Sequence, residues 1–118
     1  MANKEQITVY KSGTAVVDYV ATADFTTDAI KWDNLHGFSL NIWFPLLNGT
    51  SPKPRITIQV SNTTNPNSFI TYVDVDNIAI PQLFEKSSVT PKYIRLVYDS
   101  TDVGFGSVIT IDLNKIIL

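Results

Sequence analysis

The chain has 118 residues and a formal charge of -2, from 9 basic and 11 acidic side chains. That length suits one domain whose core needs no cross-link, and the absence of cysteine excludes thiolate catalysis, internal disulfides and zinc–thiolate sites. The scattered charges form no basic stripe, which argues against nucleic acid and against a polybasic membrane anchor as partners, and no run approaches the roughly 18 apolar residues of a spanning helix.

The first residues lead straight into Ile7, Thr8, Val9 and Tyr10 with no apolar stretch like that of a signal peptide, so export by that route is not expected. A strand is predicted over residues 6–11, a turn at Ser12 and Gly13, and a second strand over 15–20, together an opening hairpin. Residues 28–32 read as a short strand, followed by a turn at Leu35, His36 and Gly37. Residues 37–44 then alternate, sending Phe38, Leu40, Ile42 and Phe44 to a core and Ser39 and Asn41 to water. Trp43 therefore faces away from that core, either beneath a loop or on an exposed interface.

Residues 45–54 hold three prolines, which lack backbone donors, and the turn-forming pair Asn48 and Gly49, so they read as a surface loop. The strand over 55–61 alternates Ile56, Ile58 and Val60 with Thr57, Gln59 and Ser61. Residues 62–67 are a polar connection, and 68–75 carry apolar residues on both sides, as a strand buried on both faces would. Pro81 suits 78–84 to an edge strand or a strand end, and 85–91 reads as a loop. Strands over 93–100 and 107–115 flank a connection that turns through Gly104 and Gly106. About eight strands and no helical period predict an all-β fold, a two-sheet antiparallel sandwich formed as one domain over residues 1–118.

Reactive side chains do not cluster. His36 is the one histidine, and with no nucleophile motif nearby it reads as a loop residue at the start of a strand. Asp74, Asp76 and Asn77 offer hard oxygens of the type calcium takes, but a polar strand end accounts for them without converging ligands. The pairs Asp24 with Asp28 and Asp99 with Asp102 nominate no glycosidase site. The sequons at Asn48 and Asn62 read as turns. Trp32, Trp43, Tyr72 and Tyr93 form either a sugar-stacking platform or, the preferred reading, sandwich packing. The apolar end Ile116, Ile117 and Leu118 either completes a core strand, the preferred reading, or docks on a neighbouring subunit.

Four segments carry a resemblance that covers most of the chain: residues 29–42, with Gly37, Phe38, Ser39, Leu40, Asn41 and Ile42 as a strand; Ile58 to Asn62, ending in Gln, Val, Ser, Asn; Lys92 to Tyr98; and the Gly104, Phe105, Gly106 turn leading into a strand that ends at Lys115. This pattern resembles small β-sandwich proteins encoded among the structural genes of tailed bacteriophages, departing from it where residues 45–54 replace a short glycine turn and Phe69 stands for a tryptophan. The resemblance favours a jelly roll over an immunoglobulin-like strand order. It implies a non-enzymatic virion protein, a capsid decoration or auxiliary protein or a head-fibre attachment protein, located in the virion, needing no cofactor, and binding other virion subunits or further copies of itself. The expected contact residues are Trp43, Pro45, Asn48, Pro52, Pro54, Ile116, Ile117 and Leu118. The alternative is a tail-associated or fibre-associated module that binds host glycans.

Overall fold

The computed structural model describes residues 3–32 and 36–117. Among the described residues there are twelve strand segments and one short 3-10 turn, Pro66–Ser68, and every strand pairing is antiparallel. In sheet one, β1 (Asn3–Ile7) and β4 (Tyr19–Val20) share one edge of β12 (Val108–Ile117), whose other edge meets β7 (His36–Leu46) and then β10 (Gln82–Val89). In sheet two, β5 (Phe25–Thr26) and β6 (Ile30–Lys31) share one edge of β11 (Tyr93–Asp99), followed by β8 (Arg55–Ser61) and β9 (Ile70–Val75). The remaining pair, β2 (Tyr10–Lys11) and β3 (Thr14–Ala15), is a separate hairpin.

The difference between eight expected strands and twelve observed segments comes from two interrupted edges. Between β1 and β4 the chain leaves the sheet to form the β2–β3 hairpin, then returns to the same β12 edge. Ser12 and Gly13 both have positive φ, 50° and 81°, the twist that a two-residue hairpin loop requires. Between β5 and β6 the Thr27 N–H donates to Leu96 O, while Thr27 Oγ1 accepts from Leu96 N–H and so replaces a backbone acceptor. With each interrupted edge counted as one lane, each sheet is four lanes wide.

Alternation places Phe38, Leu40 and Ile42 of β7 and Ile109, Ile111 and Leu113 of β12 against Ile56, Ile58, Ile94, Leu96 and Tyr98 of the other sheet, all nearly inaccessible to solvent. Rings bridge the two layers, Tyr19 with Phe25 at 5.4 Å, Trp32 with Phe38 at 5.6 Å and Phe44 with Tyr98 at 6.4 Å between centroids. The arrangement is sandwich-like, and a lysine reaches across each open side. Lys11 Nζ donates to the Tyr19 hydroxyl and lies over the Tyr19 and Phe25 rings. Lys86 Nζ lies over the Tyr72 ring, from β10 to β9.

Four sequence expectations change. The 6–11 strand is two strands, and β1 pairs with β12 rather than with its neighbour in the chain. The strand over 68–75 is not buried on both faces, because β9 is a sheet edge on which Ile70 is 67% and Tyr72 38% exposed. Residues 85–89, expected as loop, extend β10 beside β7, their polar side chains pointing to solvent as an edge strand allows. The surface loop expected from Pro45 begins two residues later, since β7 continues through Leu46. The turn expected at residues 35–37 lies partly outside the described residues, with Gly37 inside β7.

Candidate interaction surface

One end of the sandwich collects the loops over residues 21–24, 47–54, 76–81 and 100–107. Two of them, distant in sequence, are clamped together by Asn48. Its N–H donates to Ser107 Oγ at 2.8 Å, its carbonyl accepts from Gly104 N–H at 2.7 Å, and its Nδ2 donates to Phe105 O at 3.0 Å. Ser107 Oγ also donates to Gly104 O. The backbones come so close that a Cβ at Gly49, which has φ of 126°, would lie 2.5 Å from Asp102 O, and one at Gly104 would lie 2.7 Å from Gly49 N. Only glycine fits at that crossing. The clamped tip holds out Phe105, 94% exposed.

Beside this tip a bulge shapes the outer face of sheet one. Thr110 pairs with Trp43 and Val108 with Leu46, so three steps along β7 match two along β12. An odd step would normally reverse a side chain's face; the bulge instead leaves Trp43 and Leu46 both outward. Pro45 sits within the irregular stretch, where a missing N–H breaks no ladder bond. Val20 pairs with Val108 on its other side, so Val20, Val108 and Leu46 form one cross-strand row, with Val20 59% and Leu46 51% exposed. Half-buried Trp43 lies next along β7. The result is an apolar corner where the outer face meets the Phe105 tip.

The third loop of this end is fastened from inside. The buried Tyr98 hydroxyl donates to Ala21 O at 2.7 Å, and burial, with lesser contributions from the Asp24 and Asp99 charges, pushes the phenol well above its usual range. Asp24 Oδ1 accepts from both Ser100 N–H and Ser100 Oγ, which lowers its carboxyl below the ordinary value, the backbone bond contributing most. Arg55 and Asp99 pair at 3.5 Å on the exposed rim.

Among the expected contact residues, Trp43, Pro45 and Asn48 come together at this end, although the polar groups of Asn48 are committed to the clamp. Pro52 is half-buried beside Arg55 and Asp76, and Pro54 is buried, so its ring offers no surface to a partner. Ile116 lies at the far end of sheet one, paired between Lys4 and Gly37, and Ile117 pairs with Asn3. This terminal segment completes a central strand, the preferred reading of the sequence, and Leu118 lies outside the described residues. Of the aromatic platform, Trp32 is 1% exposed core while Tyr72 is on the open β9 edge. Asp74 accepts from Thr57 Oγ1, and among the described residues no three acidic, histidine or cysteine side chains converge.

Sequence reasoning missed Phe105, Leu46 and Val20. For Phe105 a signal was present, a large apolar residue between two glycines, a setting that exposes rather than buries a ring. For Leu46 none was, since its direction depends on a bulge set by a partner strand 62 residues away. No protein-family model, curated protein or solved structure matches the chain.

Proposed function

We propose that the chain is a non-enzymatic structural protein of a tailed-phage virion, a capsid decoration, auxiliary or head-fibre attachment protein, and that its fold is a jelly roll. Support for the fold comes from lane order. Numbered along the chain with each interrupted edge as one lane, sheet one reads 1-8-3-6 and sheet two reads 2-7-4-5. Lane 1 pairs with 8, 2 with 7, 3 with 6 and 4 with 5, as when one long hairpin is rolled up.

The observation that carries the functional reading is the apolar corner of Val20, Trp43, Leu46, Val108 and Phe105, held on a clamped frame. A few aliphatic and aromatic side chains on a rigid frame suit a protein socket better than a sugar, whose hydroxyls need polar partners around the ring. Five side chains are far fewer than the roughly 20–30 residues a side of a stable pairwise complex. Such a contact is weak alone and becomes durable when many copies engage a symmetric particle.

Particles purified from the phage that encodes the chain provide the test. Mass spectrometry and antibody labelling should find the protein on the particle in a fixed copy number, and Leu46→Asp with Val20→Asp should abolish its attachment while leaving the fold intact. Absence from purified particles, or glycan-array binding that depends on Trp43 without any particle association, would sink the proposal.

A further inference from the structure

The charges of the molecule are segregated along its strands. At the end that bears the Phe105 tip stand Asp24, Asp76, Asp99 and Asp102 against Lys53 and Arg55, four carboxylates to two cations. Toward the opposite end stand Lys4, Lys31, Lys86, Lys92, Arg95 and Lys115 against Glu5 and Glu85, six cations to two carboxylates among the described residues. Register places these cations at that end: Lys31 pairs with Tyr93 at the start of β11 and Lys92 precedes it, Lys86 pairs with Phe38 near the start of β7, and Lys4 pairs with Ile116. Arg95 lies over the ring of Phe69, in the loop that closes the same end, at 4.2 Å.

The two poles are separated by the seven residues of β8 and β11, about 20 Å at the usual rise of roughly 3.3 Å per residue. That exceeds the screening length of about 8 Å at physiological salt. Each pole therefore presents its own sign to an approaching body, and the net charge of -2 hides a molecule with two opposite faces.

We infer that the acidic end of one copy docks on the basic end of another, a head-to-tail association between copies of this chain. The complementary surface for each pole is on the chain itself. The contact is heterologous, joining two different patches, so it extends into a row or closes into a ring instead of stopping at a symmetric pair. A shallow depression bordered by Asn62, Thr90, Pro91 and Lys92 opens at the basic end, and it gives the projecting acidic loops a concave seat. The association goes beyond the virion reading, since it requires no other protein.

Sedimentation velocity on the purified chain tests it without reference to particles, so its failure and that of the virion reading are separable. The wild-type chain should show concentration-dependent growth at about 20 mM salt that disappears at about 500 mM. A variant with Lys31→Glu and Lys92→Glu has only its acidic end intact, and one with Asp76→Lys and Asp102→Asn only its basic end. Asn is chosen at 102 because the residue has φ of 59°, a region Asn tolerates. These sites are exposed, and circular dichroism and melting curves confirm that each variant folds. Each alone should associate at least about tenfold more weakly than wild type, and a mixture of the two should form one-to-one dimers that grow no further. A wild-type chain that stays monomeric at low salt, or a mixture that fails to pair, overturns the inference, as does association indifferent to salt and charge reversal.

Discussion

The two ends of the sandwich are both tied by short polar side chains, but they are tied in different ways. At the Phe105 end the knot joins loops about sixty residues apart, with Asn48 reaching Ser107 and Phe105, and Tyr98 and Asp24 fastening residues 21–24 to β11 and the turn beyond it. At the other end the loop over residues 62–69 is tied mainly to itself, its links outward being the Lys92 N–H bond to Asn62 Oδ1 and the stacking of Arg95 on Phe69. Ser68 Oγ lies 2.6 Å from Ser61 Oγ and 2.7 Å from Thr63 Oγ1, and Asn65 Oδ1 accepts from Asn67 N–H. A local knot can form before the sheets do, whereas the distant one exists only when both sheets are in place. The distant knot should therefore report on global stability, and the local one on little beyond its own loop.

Gly49→Ala breaks the distant knot most directly. It combines a backbone angle that resists a side chain with overlap against Asp102 O, and the expected cost is about 3 kcal/mol, read as a lower midpoint in urea unfolding. Tyr98→Phe removes the donor to a buried carbonyl and should cost about 2 kcal/mol. This phenol titrates well above its unfolded value of about 10, so the wild type should lose stability as pH rises past about 10, where only the unfolded chain ionises at this residue. The Phe variant should lack that part of the alkaline loss.

Ser68→Ala sharpens the contrast from the other side. It unties the local knot and should cost about 1 kcal/mol, with faster amide exchange confined to residues 61–69. Exchange that spreads to both sheets would erase the distinction between the ends. Asp24→Asn has the smallest expected effect. The folded carboxyl titrates below its unfolded value, so its stabilisation is complete above about pH 4 and fades as pH falls through the folded value. Acid unfolding of the Asn variant should be correspondingly shallower below pH 4.

Sequence legibility follows the same division. Strands over residues 55–61 and 93–99 were readable because a period of two puts Ile56, Ile58, Ile94 and Leu96 on one face whatever their neighbours are. The Ser12–Gly13 turn was readable because two adjacent positive φ angles favour few residue types. The open side of β9 was not, because Ile70 and Tyr72 have the composition of a buried strand and only their position at a sheet edge exposes them. The same holds for the apolar corner: one of its five members, Trp43, followed from alternation, while Leu46 and Val20 joined it through β12, which no local pattern announces.

The place of β12 in sheet one governs how the protein is made. It comes after all the other described strands in the chain, yet it runs between the β1 and β4 lane and β7. During translation the amino-terminal lane has nothing to zip against until residues 108–117 have left the ribosome, and its closing contacts span more than a hundred residues of chain, as between Lys4 and Ile116. Only β7 and β10 of sheet one can pair before β12 emerges, and a nascent chain halted before residue 108 leaves β1 and β4 as orphan edges for chaperones to shelter.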